Sequence, residues 1–308
     1  MRPLRLILPC PRPKGDRAWG DYYFGQSLAT SLQRLGHRVT VICNGEKISL
    51  FDKMKHRLGV SLPDDPKDAV DLVLRGKPTP MPKYDRPRIN WLISQSDQFE
   101  PENEKDAVHT FVASPKFASE LEGRGMSCSV LLQCTDPSVF SPEEKSDEAR
   151  TGVLFVGNRK RIEPRPVVEA ARDAGLSVSV WGSNWEKVPG ISYEGHHIPN
   201  SDLGKFYASA GVVLNDHRTG MLRDHFMSNR VFDVLASGRP VVTEAMVGIP
   251  DELRSGVFTY SDLSEVGAAI EASQGAEDGE LLEISKLVRS RHGFDQRAAV
   301  ISECIASL

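Results

Sequence analysis

Seven basic side chains crowd two short stretches in the second half of the sequence. They are Arg159, Lys160, Arg161 and Arg165 in the first stretch, and Arg218, Arg223 and Arg230 in the second. Cations held in fixed positions stabilise negative charge that develops on a reacting group. A helix that begins near Ser228 and Asn229 would add the positive end of its dipole. These residue types therefore predict a site for an anionic group, with Arg159 and Arg230 as the first candidates.

Two aspartates and two histidines are candidates for catalysis or substrate contact. Asp21 follows the loop after the first apolar run, and Asp97 follows a later one. Either carboxylate could accept the proton of an attacking hydroxyl, although Asp21 could equally cap a helix. His217 and His225 lie in the polar run that begins at Asn215 and could contact a substrate, although ordinary polar histidines are the commoner case.

Alternating strand and helix patterns must position these groups. Apolar, β-branched runs predict strands at 4–8, 38–42, 69–74, 88–93, 109–112, 128–132, 152–156, 177–181, 191–193, 211–214 and 240–243. Helical periodicity predicts helices at 21–35, 115–121, 164–174, 201–208 and 228–236, with three more from residue 262 to the end. This alternation predicts parallel sheets covered by helices, an α/β fold.

The length of 308 residues suits two domains. Residues 135–148 combine prolines with charges and resemble a linker, which divides the chain into 1–145, 150–290 and a closing helix at 291–308. Two such domains usually hold a ligand in the cleft between them. We therefore expect two Rossmann-like αβα domains facing a central cleft.

Composition excludes several functional classes. Lys and Arg total 38 against 42 Asp and Glu, a net charge of −4, which argues against nucleic-acid binding. The Walker A loop and the dinucleotide fingerprint are absent, which argues against P-loop hydrolases and ordinary dehydrogenases. Five scattered cysteines without a CxxC pair indicate neither disulfides nor zinc and favour a reducing cytoplasm.

Apolar runs in the sequence are too short for a membrane-spanning helix, and the N-terminus lacks a signal-peptide core. Residues 53–58 carry basic side chains in a short amphipathic pattern. This pattern could contact anionic lipid or a charged acceptor, although a solvated helix face is the simpler interpretation.

The most informative motif covers residues 228–244, a helix that begins at Ser228, carries Asp233 at its middle, ends at Gly238 and leads directly into an apolar strand. It resembles the nucleotide-sugar-binding helix of group 1, family 4-like glycosyltransferases, whose usual form is R-x-F-E-x-L-A-x-G-x-P-V-V. The matching residues are Arg230, Phe232, Leu235, Ala236, Gly238, Pro240, Val241 and Val242, with Asp233 in place of the usual Glu. The resemblance is strongest to the spore-maturation CgeB-like branch.

The resemblance implies roles for particular residues. It implies that Asp233 binds the ribose hydroxyls of the donor, while the first acid of the family's E-x7-E motif is replaced here by His225. It also implies that the turn at Gly157 opens the donor-binding domain. The donor-site residues expected on this basis are Gly157, Arg159, Lys160, Asn215, His217, Arg218, Ser228, Asn229, Arg230 and Asp233, and the catalytic candidates are Asp21, Asp97 and His225.

The resemblance implies a GT-B glycosyltransferase that moves a sugar from a nucleotide-sugar donor to a hydroxyl of a glycan or glycolipid acceptor. We expect no metal and no cofactor, because basic side chains and helix ends can balance the charge of a diphosphate leaving group. Two alternatives remain open. A nucleotide-sugar epimerase on the same fold would use His217, Asp224 and His225, and a non-catalytic binding protein would explain the incomplete E-x7-E motif.

Overall fold

The computed structural model describes residues 2–13, 19–44, 68–75, 86–104, 106–160 and 165–308. The chain divides into two compact units. One unit contains Met1–Leu132 and Phe294–Leu308, and the other contains Gln133–Gly293. Arg161 and residues 53–58, for which phosphate and lipid contacts were predicted, lie outside the described residues.

The first unit contains a parallel sheet. Its described strands are β1 (Leu4–Leu8), β2 (Val39–Cys43), β3 (Val70–Arg75), β4 (Arg88–Leu92), β5 (His109–Val112) and β6 (Cys128–Val130), in the order β2-β1-β3-β4-β5-β6. The described helices are α1 (Gly20–Arg34) and α2 (Pro115–Gly123). Every residue of β1 and the first five of β3 are buried, as expected for parallel strands covered on both faces.

The second unit repeats this architecture. Its strands are β7 (Thr151–Val156), β8 (Val178–Trp181), β9 (Ser192–Gly195), β10 (Ala210–Leu214), β11 (Val241–Glu244) and β12 (Val257–Tyr260), in the order β12-β11-β10-β7-β8-β9. Its described helices are α3 (Pro166–Asp173), α4 (Asn200–Ser209), α5 (Thr219–Arg223), α6 (Asn229–Ala236), α7 (Val266–Gln274) and α8 (Asp278–Arg291). Fully buried Phe155 and Trp185 lie in its core, edge to face.

The last helix, α9 (Phe294–Ala306), belongs to the first unit. It packs against α1, where the rings of Phe24 and Phe294 meet edge to face at 4.7 Å. On the surface, Arg34 pairs with Asp295.

Residues 135–148, where the sequence predicts a linker, belong to the second unit. The ring of Phe140 stacks on buried Tyr207 of α4, and the Ser146 amide donates to Ser209 Oγ. A Cβ at Gly204 would lie 1.8 Å from the carbonyl oxygen of Val139, so the segment runs directly over α4. Proline and charge mark this segment as irregular, but Phe140 gives it an apolar anchor.

Most predicted elements lie within two residues of the observed ones, and the predicted α/β class is confirmed. Strand β12 and the short helix α5 are absent from the prediction. The prediction that Asp21 caps α1 is wrong, because Trp19 occupies the N-cap position and Asp21 lies one residue inside the helix. In that first turn its charge still favours the positive end of the helix dipole.

Candidate functional site

The strand order of the second sheet places a switch point between β7 and β10. From β7 the chain builds outward through β8 and β9, and from β10 it builds the other way through β11 and β12. Open α/β sheets bind ligands outside the carboxyl ends of their strands at such a point. The two loops that begin there start at Gly157 and Asn215, both of which the sequence predicts for donor binding.

The turn after β7 is held in place by hydrogen bonds from a neighbouring turn. The Gly157 amide donates to the Trp181 carbonyl at 2.8 Å, and Trp185 Nε1 donates to the Gly157 carbonyl at 2.7 Å. Gly182 has a φ of +142°, and a Cβ there would lie 2.3 Å from the Gly157 carbonyl oxygen. Only glycine allows this approach, so the conformation of the Gly157 turn is fixed by its partner.

Two arginines from opposite sides of the switch point meet at one carboxylate. Arg165, just before α3, donates from Nη1 to both oxygens of Asp216, at 3.0 and 3.1 Å. Arg230 Nη1, in the first turn of α6, lies 3.9 Å from Asp216 Oδ1. The side chain of Asp216 is 4% exposed, against 18% for Arg165 and 22% for Arg230. We call Arg165 and Arg230 the arginine pair.

The ring of Phe155 lies under both guanidinium groups. The guanidinium carbon Cζ lies 5.9 Å from the ring centroid in Arg165 and 5.5 Å from it in Arg230, within cation–π range. The group of Arg165, Arg230 and Asp216 carries two positive charges and one negative charge. It is therefore a net cation at the position where this fold binds ligands.

A ring of hydrogen bonds joins the ends of β10 and β11 to the start of α6. Its five members are Asn215, His217, Ser228, Thr243 and Glu244, which we call the polar ring. Buried Asn215 donates to Thr243 Oγ1 at 2.9 Å, and Thr243 Oγ1 donates to Glu244 Oε2 at 3.1 Å. Glu244 accepts from the His217 backbone at 2.9 Å and bonds His217 Nδ1 at 2.8 Å. The Ser228 amide donates to His217 Nε2 at 3.1 Å, and Ser228 Oγ donates to Asn215 Oδ1 at 3.0 Å.

The hydrogen bonds of His217 define its tautomer. A backbone amide can only donate, so Nε2 accepts from Ser228 and the ring proton lies on Nδ1, facing Glu244. Burial raises the pKa of Glu244, but its hydrogen bonds with His217 outweigh burial and hold that pKa below its usual value. Both ring nitrogens of His217 are thus engaged within the protein, in a side chain with no exposed surface. The predicted sugar contact of His217 stays a prediction.

The start of α6 differs from its predicted form. Ser228 occupies the N-cap position, but its hydroxyl donates to Asn215 instead of accepting from its own helix. The Asn229 amide donates to Gln133 Oε1 at 3.1 Å. Protein acceptors therefore already hold the amides of Ser228 and Asn229, both of which were predicted to bind the donor phosphate.

Asp233 lies at the middle of α6 and is 4% exposed. Its oxygens accept from Thr135 Oγ1 at 2.7 Å and from Asn229 Nδ2 at 3.0 Å. Burial raises the pKa of Asp233 to about 8, against the lowering effect of Thr135, Arg230 and Asn229. The predicted ribose contact would compete with these hydrogen bonds and stays a prediction.

The remaining predicted donor residues lie around the edge of the switch point. Arg159 follows Gly157, pairs with Glu169 at 3.4 Å and lies 6.0 Å from the Trp185 ring centroid. Its buried Nε has no hydrogen-bond partner among the described residues. Lys160 is exposed, and Arg218 is half-buried at the start of α5.

His225 has an unusual backbone conformation. Its φ is +56°, in the left-handed region that residues other than glycine seldom adopt, although Asn, Asp and His do so more often than the rest. Its Nδ1 accepts the Val247 amide at 2.8 Å, so a neutral ring presents Nε2–H elsewhere. Strained conformations of this kind cluster at functional sites.

The catalytic candidates of the first unit follow two strands of one sheet. Asp21 lies in the first turn of α1, after β1, and Asp97 lies exposed in a 3-10 turn after β4. Strand β3 lies between β1 and β4. The two aspartates therefore share the carboxyl edge of the sheet but belong to strands that are not neighbours.

Within the ranges given above, no group of three His, Cys, Asp or Glu side chains could hold a metal ion. No helix in the described part of the chain has the length and apolar character needed to cross a membrane.

Comparison with known proteins adds to this geometry. Residues 159–303 match the family described as glycosyl transferase-like, while no curated protein matches the chain. Sucrose-phosphate synthase from Thermosynechococcus elongatus matches with a TM-score of 0.68 and 12% identity, over 100% of this chain and 99% of that one. The fold is GT-B. The GT-B fold predicted from the sequence is therefore confirmed.

Two further GT-B structures are similar at low identity. AviGT4, a glycosyltransferase involved in avilamycin A biosynthesis, has a TM-score of 0.64 and 16% identity, over 98% of this chain and 96% of that one. An alpha-glucosyltransferase in complex with UDP and a DNA 13-mer containing an HMU base has a TM-score of 0.64 and 11% identity, over 100% of both chains. These neighbours share the fold, and the family match supports a transferase. The CgeB-like branch stays a prediction.

The sequence alone did not single out Asp216, Thr243 and Glu244. Each is a polar residue at the carboxyl end of a buried strand or just after it, which is where parallel sheets place functional groups. That position was the available signal. Asp216 lies among more conspicuous basic residues, and Glu244 is the last residue of a motif that was interpreted for its helix.

Proposed function

We propose that the chain is a glycosyltransferase that moves a sugar from a nucleotide-sugar donor to a hydroxyl acceptor, with the donor diphosphate on the arginine pair. The observation that carries the proposal is the convergence of Arg165 and Arg230 on Asp216 at the switch point of the GT-B donor unit. Arginine binds phosphate through paired N–H groups, and partial burial strengthens each such bond.

Charge and geometry together favour a phosphate ligand. Asp216 offsets one of the two guanidinium charges, so the group keeps one net positive charge that attracts an anion. The two planar guanidinium groups also offer paired N–H donors, which suit the several oxygens of a diphosphate. As the bond to the sugar breaks, negative charge grows on the diphosphate beside cations that are already in position. Catalysis by such preorganised charge is strongest where water is excluded, and Phe155 closes one side of the pair.

The arginine pair places fixed positive charge beside the leaving diphosphate, so we propose metal-independent transfer. Asp97 and Asp21 remain the proposed bases for the acceptor hydroxyl, because both lie at the ligand-binding edge of the first sheet. The motif from Arg230 to Val242 supports placement in the CgeB-like branch.

The deciding experiment is calorimetric titration with UDP, GDP, dTDP, ADP and CMP and with their sugars. We expect one nucleotide to bind, and Arg165→Met and Arg230→Met each to weaken its binding about tenfold or more, which is about 1.4 kcal/mol. The matched control is Arg254→Met, because Arg254 forms an exposed ion pair with Asp251 in the same unit. Arg254→Met should keep the nucleotide affinity within about twofold of the wild-type value.

A second assay, for release of nucleoside diphosphate, separates an enzyme from a binding protein. A transferase slowly releases the nucleoside diphosphate from its sugar nucleotide in water, which a coupled assay detects, whereas a binding protein holds the donor intact. If the folded protein binds none of these nucleotides, or if Arg254→Met weakens binding as much as the pair variants do, the proposal fails.

A further inference from the structure

We infer that His217 and Glu244 are positioning residues that fix the start of α6 and, through it, Arg230 of the arginine pair. The consequence for donor binding rests on the proposed function. The hydrogen bonds that carry the inference do not, because all of them lie within the second unit.

Glu244 is the anchor of this arrangement. It is the last residue of β11, and its two oxygens take the His217 backbone amide and the His217 ring at 2.9 and 2.8 Å. Two bonds from one carboxylate hold the backbone and side chain of His217 together, which fixes the direction of the ring. The Glu244 side chain is 13% exposed and that of His217 is fully buried, so water competes little for these bonds.

His217 carries this fixed position across to α6. Its Nε2 accepts the amide of Ser228, eleven residues further along the chain. The amide of an N-cap residue lacks a partner within the helix, and in a capping box the Glu or Gln side chain at the third helical position supplies one. Here that position is Val231, which has no acceptor in its side chain, and His217 supplies the acceptor instead.

Asn215 links the helix start to the guanidinium group. Its Oδ1 accepts both from Ser228 Oγ at 3.0 Å and from Arg230 Nη1 at 3.3 Å. A shift of Ser228 therefore disturbs the oxygen that holds Arg230. Among the described residues, the hydrogen bonds of His217 and Glu244 reach neither the arginine pair nor Asp216. These two residues therefore act on Arg230 through Ser228, Thr243 and Asn215.

The tautomer of His217 gives the inference a direct signature. Glu244 is an acceptor only, so it requires the ring proton on Nδ1 and leaves Nε2 free to accept from Ser228. In Glu244→Gln, the side-chain amide can donate to Nδ1 and drive the proton to Nε2. Two donors then face each other at the start of α6, and the Ser228 amide loses its partner.

The test combines a spectroscopic and a binding measurement on the full chain. In ¹⁵N-labelled protein, the His217 ring signals, assigned by their loss in His217→Phe, should show a protonated Nδ1 and an unprotonated Nε2. In Glu244→Gln we expect the reverse tautomer or a mixture, at least about tenfold faster hydrogen exchange of the Ser228 amide, and about tenfold weaker nucleotide binding.

Thr151→Val is the matched control. It removes a hydroxyl that bonds Ser179 Oγ at 2.9 Å, at the opposite end of the same sheet. This variant should lose comparable stability but keep the Ser228 exchange rate and the nucleotide affinity within about twofold. A purely structural role of Glu244 predicts equal binding losses in both variants.

Each result decides a separate question. A wild-type ring protonated on Nε2, or unchanged Ser228 exchange in Glu244→Gln, overturns the positioning inference whatever the ligand results are. Absence of nucleotide binding by the wild type overturns the proposed function, while the tautomer and exchange measurements still decide whether His217 and Glu244 hold the start of α6. If Glu244→Gln does not fold, the wild-type tautomer alone remains decisive.

Discussion

Thr135 Oγ1 donates to Asp233 Oδ1 at 2.7 Å, so the acid at the middle of α6 is held by a residue near the start of the second unit. The same threonine bonds the His292 carbonyl through its backbone amide at 3.0 Å. An acid that the motif associates with a ligand thus has a protein partner and little exposed surface. The free energy of unfolding of the unit therefore depends on whether Asp233 is protonated.

The raised pKa of Asp233 predicts a pH-dependent stability. The folded protein keeps this proton up to about pH 8, whereas the unfolded chain loses it near its ordinary value of 3.8. The contribution of this group is therefore complete below pH 4 and is lost as pH rises to 8, at up to about 1.4 kcal/mol per pH unit. Urea unfolding of wild type and Asp233→Asn from pH 5 to 8 measures it. Parallel curves for the two proteins would contradict the prediction.

The close approach of Gly182 to Gly157 predicts a large cost for a single methyl group. In Gly182→Ala the Cβ would overlap the Gly157 carbonyl oxygen, which forces the two turns apart, so we expect a loss of about 3 kcal/mol of unfolding free energy. Gly175→Ala is the control, since Gly175 also has a positive φ, +81°, but open space around it. Gly175→Ala should lower the unfolding free energy by only about 1 kcal/mol. Equal losses in denaturant unfolding would refute the packing argument.

Removing the carboxylate between the arginines should leave them repelling each other. We expect Asp216→Asn to lower the unfolding free energy by about 2 kcal/mol, less than for a fully buried pair because Arg165 and Arg230 remain partly in water. Inorganic pyrophosphate can replace the lost charge, so it should raise the melting temperature of the variant more than that of the wild type. Equal shifts would show that the anion binds elsewhere. Sodium chloride at matched ionic strength is the control.

Metal removal tests whether the arginine pair suffices for leaving-group charge. After treatment with EDTA, release of nucleoside diphosphate from the preferred sugar nucleotide should continue at the same rate, because Arg165 and Arg230 stabilise the negative charge that develops on the leaving group. Adding Mg²⁺ or Mn²⁺ back should not increase it. If EDTA abolishes the release and either ion restores it, a metal and not the arginine pair stabilises the leaving group, and the prediction is wrong.

The sequence predicted the architecture well because the local signals agreed. Strand runs such as 152–156 are apolar and β-branched, and Gly175 ends a helix with a φ of +81°. Strand β12 was missed although Val257–Tyr260 carries the same kind of residues.

The sequence predicted where the residues of the candidate site lie better than it predicted which residues they contact. Gly157, Asn215 and Arg230 lie where the loops after β7 and β10 meet the start of α6, as parallel order requires. The partner of each side chain depends on register and on which strands are neighbours. Sequence spacing therefore does not predict that the Ser228 hydroxyl donates to Asn215 and not to a group of its own helix. Nor does it predict that the Ser228 amide donates to His217.

The ends of the second unit lie side by side. Thr135 forms a parallel bridge with Gly293, so the chain enters and leaves the unit at one place. On the side of the first unit, Arg297 Nε donates to the Leu132 carbonyl at 2.8 Å, which brings the two cut ends of that unit together as well. The stretch 133–293 therefore meets the geometric condition for a domain insertion. Because its two ends are adjacent, it can be deleted and its flanks joined by a short linker, or it can be inserted as a whole into another protein.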